Sequence, residues 1–254
     1  MSDANLSASI NPLQSPPKRT HKAEGIYVKH GTGRQVHREV EAMEFVRQRT
    51  SIPIPSVFEI YVNDNDASAS SWFSMSAIPG SPLTDAWPSM NDEARRATQA
   101  DLRSYLHELR TVPSPTPAYI GSCSGGSAYD HRLNNGYPCG PFASVSDFHD
   151  FLVVPVARCP RQELVTYYRQ QLADNHGVVF THADLCGDHI FVEPKTGRIT
   201  GIIDWEMAGW WPAYWEYTKS RFGSRYQTWW KTLLGHVLDS HERELRIEED
   251  LQQF

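Results

Sequence analysis

The 254-residue sequence predicts a fold that mixes helices and strands, and three observations predict it. Short runs rich in β-branched and aromatic residues recur along the chain and read as buried strands. Between them lie longer stretches with apolar residues at helical spacing, of which residues 91 to 112 are the clearest. The segment from 178 to 217 then repeats one plan twice, an apolar strand followed by an aspartate, first Asp184 and later Asp204.

Composition narrows the class. Hydrophobic residues at 40% and charged residues at 21% suit a chain that buries a core, and the length allows one large domain or two lobes sharing a cleft. A net charge of −6 is repelled by nucleic acid and by anionic membranes, so neither is the expected partner. No apolar run approaches a membrane span, and the N-terminus lacks the basic-then-apolar plan of a signal peptide. Cys123, Cys139, Cys159 and Cys186 fall at irregular spacings with no CxxC; their even count permits disulfides, but without a secretory signal a reduced, cytoplasmic protein is expected. The histidines do not repeat at metal-ligand spacing, and no zinc site is expected.

In chain order, residues 1 to 22 are rich in Ser, Pro, Asn and Lys and read as a flexible arm. Residues 25 to 29 form a strand ending in Lys29. From Arg34 to Arg49, Val36, Val40, Met43 and Val46 share one helix face, and the prolines Pro53 and Pro55 follow the end of that helix. Strands at 57 to 62 and 72 to 78 flank a polar loop, and Pro79 and Gly80 break the second. Asn91 or Asp92 caps the long helix, whose Leu102, Tyr105, Leu106 and Leu109 face a core. Residues 118 to 145 are an irregular Gly/Ser/Asn/Pro-rich stretch of the kind that serves as a binding loop. Ser146 and Asp147 open a short helix to about Val156, and 160 to 175 reads as another. Strands at 178 to 180, 190 to 192 and 199 to 203 follow, the last two joined by a tight turn at 194 to 197. Trp229, Trp230, Leu233, Leu234 and Val237 mark a buried helix face, and from Ser240 on a charged helix is expected at the surface.

Two strand-ending aspartates joined through a hairpin bring their carboxylates together. One carboxylate can accept a proton from an alcohol and the other can hold a magnesium ion that neutralises phosphates, which is the equipment of phosphoryl transfer. Each aspartate alone is also an ordinary turn residue. Taken together, His182-x-Asp184, a polar residue five positions on and Ile202-Ile203-Asp204 resemble the catalytic segment of the aminoglycoside phosphotransferase and choline kinase-like family. The run Ile203-Asp204-Trp205-Glu206 through Tyr214-Trp215-Glu216-Tyr217 is similar to its fungal small-molecule branch.

That resemblance runs from about residue 24 to 220 and implies a two-lobed α+β, protein-kinase-like architecture. The implied division is a small nucleotide-binding lobe over 23–79, with a shortened first hairpin, and a large, mainly helical lobe over 80–254. It implies ATP and Mg2+ as cofactors and a hydroxyl-bearing small molecule as acceptor. Asp184 would be the catalytic base and Asp204 a metal ligand, with His182 supporting the loop. Lys29 would contact the α- and β-phosphates, paired with Glu41, chosen over Glu39 and Glu44 for its Glu-Ala-x-x-Phe-Val context. Ser76 and Ile78 would offer backbone groups to the adenine, with Met75 behind the ring. His189 stands where the family carries a metal-binding Asn, so it favours Mn2+, weakens Mg2+ binding, or leaves the task to Asp188. A nucleotide-binding scaffold without catalysis is the alternative these departures leave open.

Overall fold

The architecture comes from a computed structural model that describes residues 25–63, 70–161, 163–223 and 227–254. The expected N-terminal arm lies outside the described residues. Contacts divide the chain into a smaller unit, ending at His37 and resuming over Pro55–Ala77, and a larger one formed by Arg38–Ile54 and Ile78–Phe254. The last of the three junctions lies between Ala77 and Ile78, and the helix after His37 groups with the larger unit.

The smaller unit is a three-stranded antiparallel sheet in the order β1 (Ile26–Gly31), β3 (Ser71–Ser76), β2 (Val57–Tyr61). The central strand supplies its core, with Trp72, Phe73 and Met75 buried and Tyr61 stacked on Trp72 at 6.0 Å. Helix α1 (Gly33–Arg49) begins at a reciprocal cap. The Gln35 amide donates to the Thr32 hydroxyl (3.3 Å), while the Thr32 amide donates to Gln35 Oε1 (3.0 Å).

In the larger unit, α1 buries Val40, Met43 and Val46 as its spacing predicts, and Phe45 stacks on Phe180 at 4.6 Å. Two small sheets follow. One has the order β4 (Ser81–Pro82), β6 (Ile190–Val192), β7 (Ile199–Ile202), and the other pairs β5 (Val178–Thr181) with β8 (Gly209–Pro212). Strand β8 was not expected from the sequence, where its tryptophans read only as core. It is buried along its whole length, so no alternation of polar and apolar residues marks it.

Helix α3 (Asp92–Thr111), reached after the single turn α2 (Leu83–Ala86), is capped by Asn91, whose Oδ1 accepts from the Ala94 amide at 2.8 Å. It grips the β6–β7 turn. Thr98 Oγ1 donates to the Gly197 carbonyl (2.7 Å), and Asp101 Oδ2 accepts from the Ile199 amide (3.1 Å). Gly197 sits at φ +70° with a Cβ position 1.8 Å from the Ala94 carbonyl oxygen, so no side chain fits there. This grip fixes the hairpin that leads to Asp204.

Helix α4 (Val145–Leu152) is capped two residues before Ser146, earlier than Ser146-Asp147 suggested. Ser144 Oγ accepts from the Asp147 amide at 3.1 Å, and Ser146 lies inside the helix. It is followed by α5 (Glu163–Gln171), α6 (Trp215–Gly223), α7 (Thr228–Val237) and α8 (Glu242–Leu251). Phe148 of α4 meets Trp211 and Trp215 edge-on in a cluster that also holds Ile120, Ala183 and Met207. Helix α8 is not purely a surface helix: Leu245, Ile247 and Glu248 are buried, the last accepting from the Thr218 hydroxyl at 2.9 Å. No helix among the described residues is long and apolar enough to cross a membrane.

Candidate active site

Strand β5 ends at Thr181, and His182, Ala183 and Asp184 turn away from it; β7 ends at Ile202, two residues before Asp204. Four hydrogen bonds close these loops into a ring. The Asp184 amide donates to His182 Nδ1 (3.1 Å), so His182 carries its proton on Nε2 and donates to the Ile203 carbonyl (2.9 Å). The Ile203 amide donates to the His189 carbonyl (3.0 Å), and His189 Nδ1 donates to the Asp184 carbonyl (2.8 Å). Burial, with His189 close by, presses the His182 imidazole down to about 4, so it stays neutral near pH 7. It is a structural support, as expected.

Asp184, His189 and Asp204 converge. One ligand atom from each lies within 4.8 Å of the others, His189 Nε2 being 3.5 Å from Asp204 Oδ2 and Nδ1 3.6 Å from Asp184 Oδ2. Burial opposes charge on His189, but the Cys186 sulfur, the Asp204 carboxylate and the Asp184 carbonyl outweigh it and raise its pKa to about 9. The imidazolium therefore places a positive charge between two carboxylates, where a cation is suited. With Nδ1 held by the Asp184 carbonyl, Nε2 is the nitrogen that would face a metal, and a bound cation would have to displace its proton. Asp188 is exposed on the outer side of the same turn and belongs to neither metal-capable group among the described residues.

The second group is Glu39, Asp204 and Glu206, again within 4.8 Å, with Glu39 buried in α1. Glu41 points elsewhere, beside Arg38 and hydrogen-bonded to the Cys123 thiol, whose pKa burial pushes to about 12. The helix wheel held the signal for this. Glu39 falls between Val46 and Met43 on the apolar face of α1, whereas Glu41 lies opposite, and a charge inside a buried stripe marks a function.

Behind the turn of His182, Ala183 and Asp184 sits Glu216, fully enclosed near the start of α6. Its Oε2 accepts from the amides of His182 (2.8 Å) and Ala183 (3.4 Å), and burial raises its pKa to about 7. These bonds hold Ala183 at φ +63°, an unfavourable region for any side chain; Asp204 lies at +66°. Nothing in the sequence pattern around Glu216 pointed to this role.

The nucleotide residues expected in the smaller unit lie on one strand pair. Lys29 is half-buried on β1 opposite Phe73, and Met75 is buried beside Tyr27 and Val57. The Ser76 amide already donates to the Ser56 carbonyl (2.8 Å), so only its carbonyl oxygen remains for an adenine edge. In the larger unit, Ile78 packs on Gly201, where a Cβ would lie 2.4 Å from Ile78 Cδ1.

Comparison with known proteins identifies the family. Residues 26–239 match the model of the phosphotransferase enzyme family. An aminoglycoside 3'-phosphotransferase of Streptomyces fradiae is 26% identical over 166 residues, 65% of this chain and 56% of that protein. Its counterpart in Streptomyces ribosidificus is 27% identical over 156 residues, 61% of this chain and 53% of that protein. The chain thus spans about half the length of the curated relatives it matches. The solved structure of a type VIII aminoglycoside-3'-phosphotransferase superposes with a TM-score of 0.56 at 17% identity, covering 90% of this chain and 85% of that one. An aminoglycoside phosphotransferase from Streptomyces rimosus, solved in complex with ADP and streptomycin, gives 0.54 at 17% identity over 91% and 87%. With these likenesses fixing the two-lobed α+β kinase-like fold and the family match covering most of its length, the chain belongs to the phosphotransferase enzyme family.

Proposed function

We propose that this protein transfers the γ-phosphoryl group of ATP to a hydroxyl of a small molecule. The observation that carries this reading is the convergence of Asp184, His189 and Asp204 within 4.8 Å at the ends of two strands that different sheets hold in place. Asp184 accepts the proton of the acceptor hydroxyl and orients its oxygen for in-line attack. Asp204, shared by both metal-capable groups, is the anchor for Mg2+ or Mn2+, with Glu39 and Glu206 adding oxygen donors and His189 a nitrogen. Bound metal supplies neutralisation of the phosphate charge that builds up during transfer. The donor set fits such an ion: its oxygens suit Mg2+, and its one imidazole shifts preference toward Mn2+.

For the nucleotide, this reading keeps Lys29 as the phosphate contact and Met75, the Ser76 carbonyl and Ile78 as adenine contacts. It replaces Glu41 by Glu39 as the α1 carboxylate at the phosphate end, because Glu39 is the one gathered with Asp204. The relatives are named for aminoglycosides, and the acceptor class proposed for this chain is a hydroxyl-bearing small molecule of that general kind.

A thermal-shift titration with ATP and either metal tests the reading. Stabilisation should require both nucleotide and metal and vanish in Asp204→Ala. Absence of any shift in the unmodified protein would refute it. Slow ATP hydrolysis that disappears in Asp184→Asn, with nucleotide binding kept, separates an enzyme from a scaffold that only binds.

A further inference from the structure

Helix α1 brings Glu39 to Asp204, and the residue just before Glu39 shows how the helix is held there. Arg38 donates from Nη1 to the Ser127 carbonyl (2.7 Å) and from Nε to the Glu206 carbonyl (3.3 Å). Its guanidinium carbon lies 5.5 Å from the centre of the Tyr129 ring. Both acceptors are main-chain groups, one in the irregular 118–145 loop and one in the turn after Asp204. We propose that Arg38 is a positioning residue that clamps α1 to these two loops and so keeps the Glu39 and Glu206 carboxylates facing Asp204. The proposal rests on the phosphotransfer reading given above.

The physical reason is charge. Glu39, Asp204 and Glu206 bring carboxylate oxygens within 4.8 Å of one another, with Glu39 only 2% exposed. Like charges at that separation repel, so an arrangement ready for a cation needs an external restraint. The planar guanidinium supplies one, since its rigid fork spans two carbonyls that one ammonium cannot reach together, and its positive charge lies against the backbone of Glu206. Without the clamp, the Glu206 turn is free to swing away from Glu39, and the metal loses oxygen donors while Asp204 stays in place.

Arg47 is a matched control. It sits on the same helix and also donates to a main-chain carbonyl, that of Ile54 at 2.9 Å, but it takes no part in the acidic group. The experiment is a Mg2+ titration of ATP-dependent thermal stabilisation in the full-length protein and in Arg38→Gln, Arg38→Lys and Arg47→Gln. Arg38→Gln should raise the Mg2+ concentration for half-maximal stabilisation about tenfold or more, the scale of one charge-assisted hydrogen bond. Arg38→Lys should fall between it and the unmodified protein, and Arg47→Gln should lower the melting temperature without changing the metal requirement. The clamp is wrong if Arg38→Gln and Arg47→Gln need the same Mg2+ as the unmodified protein, even where both are destabilised. Should Arg38→Gln fail to fold, Arg38→Lys decides, and an unchanged Mg2+ requirement in it overturns the proposal. If the unmodified protein itself shows no metal-dependent response to ATP, the phosphotransfer reading falls and this proposal falls with it.

Discussion

Glu216 offers a direct test of how the turn carrying Asp184 is held. Its carboxylate is enclosed, accepts two amides through Oε2, and leaves Oε1 buried without a hydrogen-bond partner. Burial raises its pKa from the ordinary 4.5 to about 7. The sign follows from linkage: the folded protein holds this proton more tightly than the unfolded chain does. The resulting stabilisation is complete below pH 4.5 and is lost as pH rises through about 7. The interval from 4.5 to about 7 corresponds to about 3 kcal/mol at 1.36 kcal/mol per tenfold change. Glu216→Gln keeps an oxygen for the His182 and Ala183 amides and removes the titration. Urea denaturation at pH 5 and pH 8 should therefore show the stability of the unmodified protein falling by more than that of the variant, with a difference of about 2.5 kcal/mol. Glu248, also raised to about 7 by burial, titrates equally in both proteins and cancels. Parallel pH dependence in the two proteins would mean that Glu216 is not carrying a buried charge, and the account of the loop would fail.

Other expectations follow from the same geometry. If Asp204 is the metal anchor proposed above, Asp184→Asn should abolish phosphoryl transfer in a coupled ADP assay while leaving metal-dependent stabilisation by ATP intact. His189→Asn should move metal preference from Mn2+ toward Mg2+ by about tenfold in the same titration, since an amide oxygen suits the harder ion. Lys219 donates to Asp130 Oδ1 at 2.8 Å with both side chains buried. Lys219→Met should cost about 3 kcal/mol in chemical denaturation by leaving buried Asp130 with only Arg132, 3.6 Å away, as a cationic partner, and adding Asp130→Leu should recover part of it.

The periodic parts of the fold were legible because local pattern and burial agree there. Helix α3 was readable from the Asn91 cap and the Leu102, Leu106 and Leu109 stripe, and both ends are where the sequence put them to within a residue or two. Strand β8 was not, because Gly209-Trp210-Trp211-Pro212 is buried on both faces and its pairing with β5 spans a stretch of chain that no local signal measures. At the site, Asp184 and Asp204 could be read because each follows a strong strand. Glu216 and Arg38 act through main-chain partners, on His182 and Ala183 and on Ser127 and Glu206, and a bond to backbone leaves no mark on the partner's identity. Glu39 was within reach from helix phase alone; the adjoining Glu-Ala motif drew attention to Glu41 instead.

The two carboxylates are reached through strained backbone, and the surroundings explain why it holds. Ala183 at φ +63° and Asp204 at φ +66° each cost about 1–2 kcal/mol relative to an ordinary conformation. The ring through His182, Ile203, His189 and Asp184 contributes four hydrogen bonds at about 0.5–1.5 kcal/mol each, which offsets that cost without calling on the carboxylates themselves. Glycine at 183 would relax the backbone, but the Ala183 methyl is fully buried against the Met207 and Trp211 cluster. Losing it costs about as much as the strain it relieves, and glycine adds freedom to the unfolded chain. Alanine in the left-handed region is therefore the balanced choice: it trades local strain for packing that leaves the Asp184 carboxylate free to face a substrate. Under the phosphotransfer reading the chemistry would fall to Asp184 and Asp204, while the precision of their placement resides in two histidines, a buried glutamate and a methyl group.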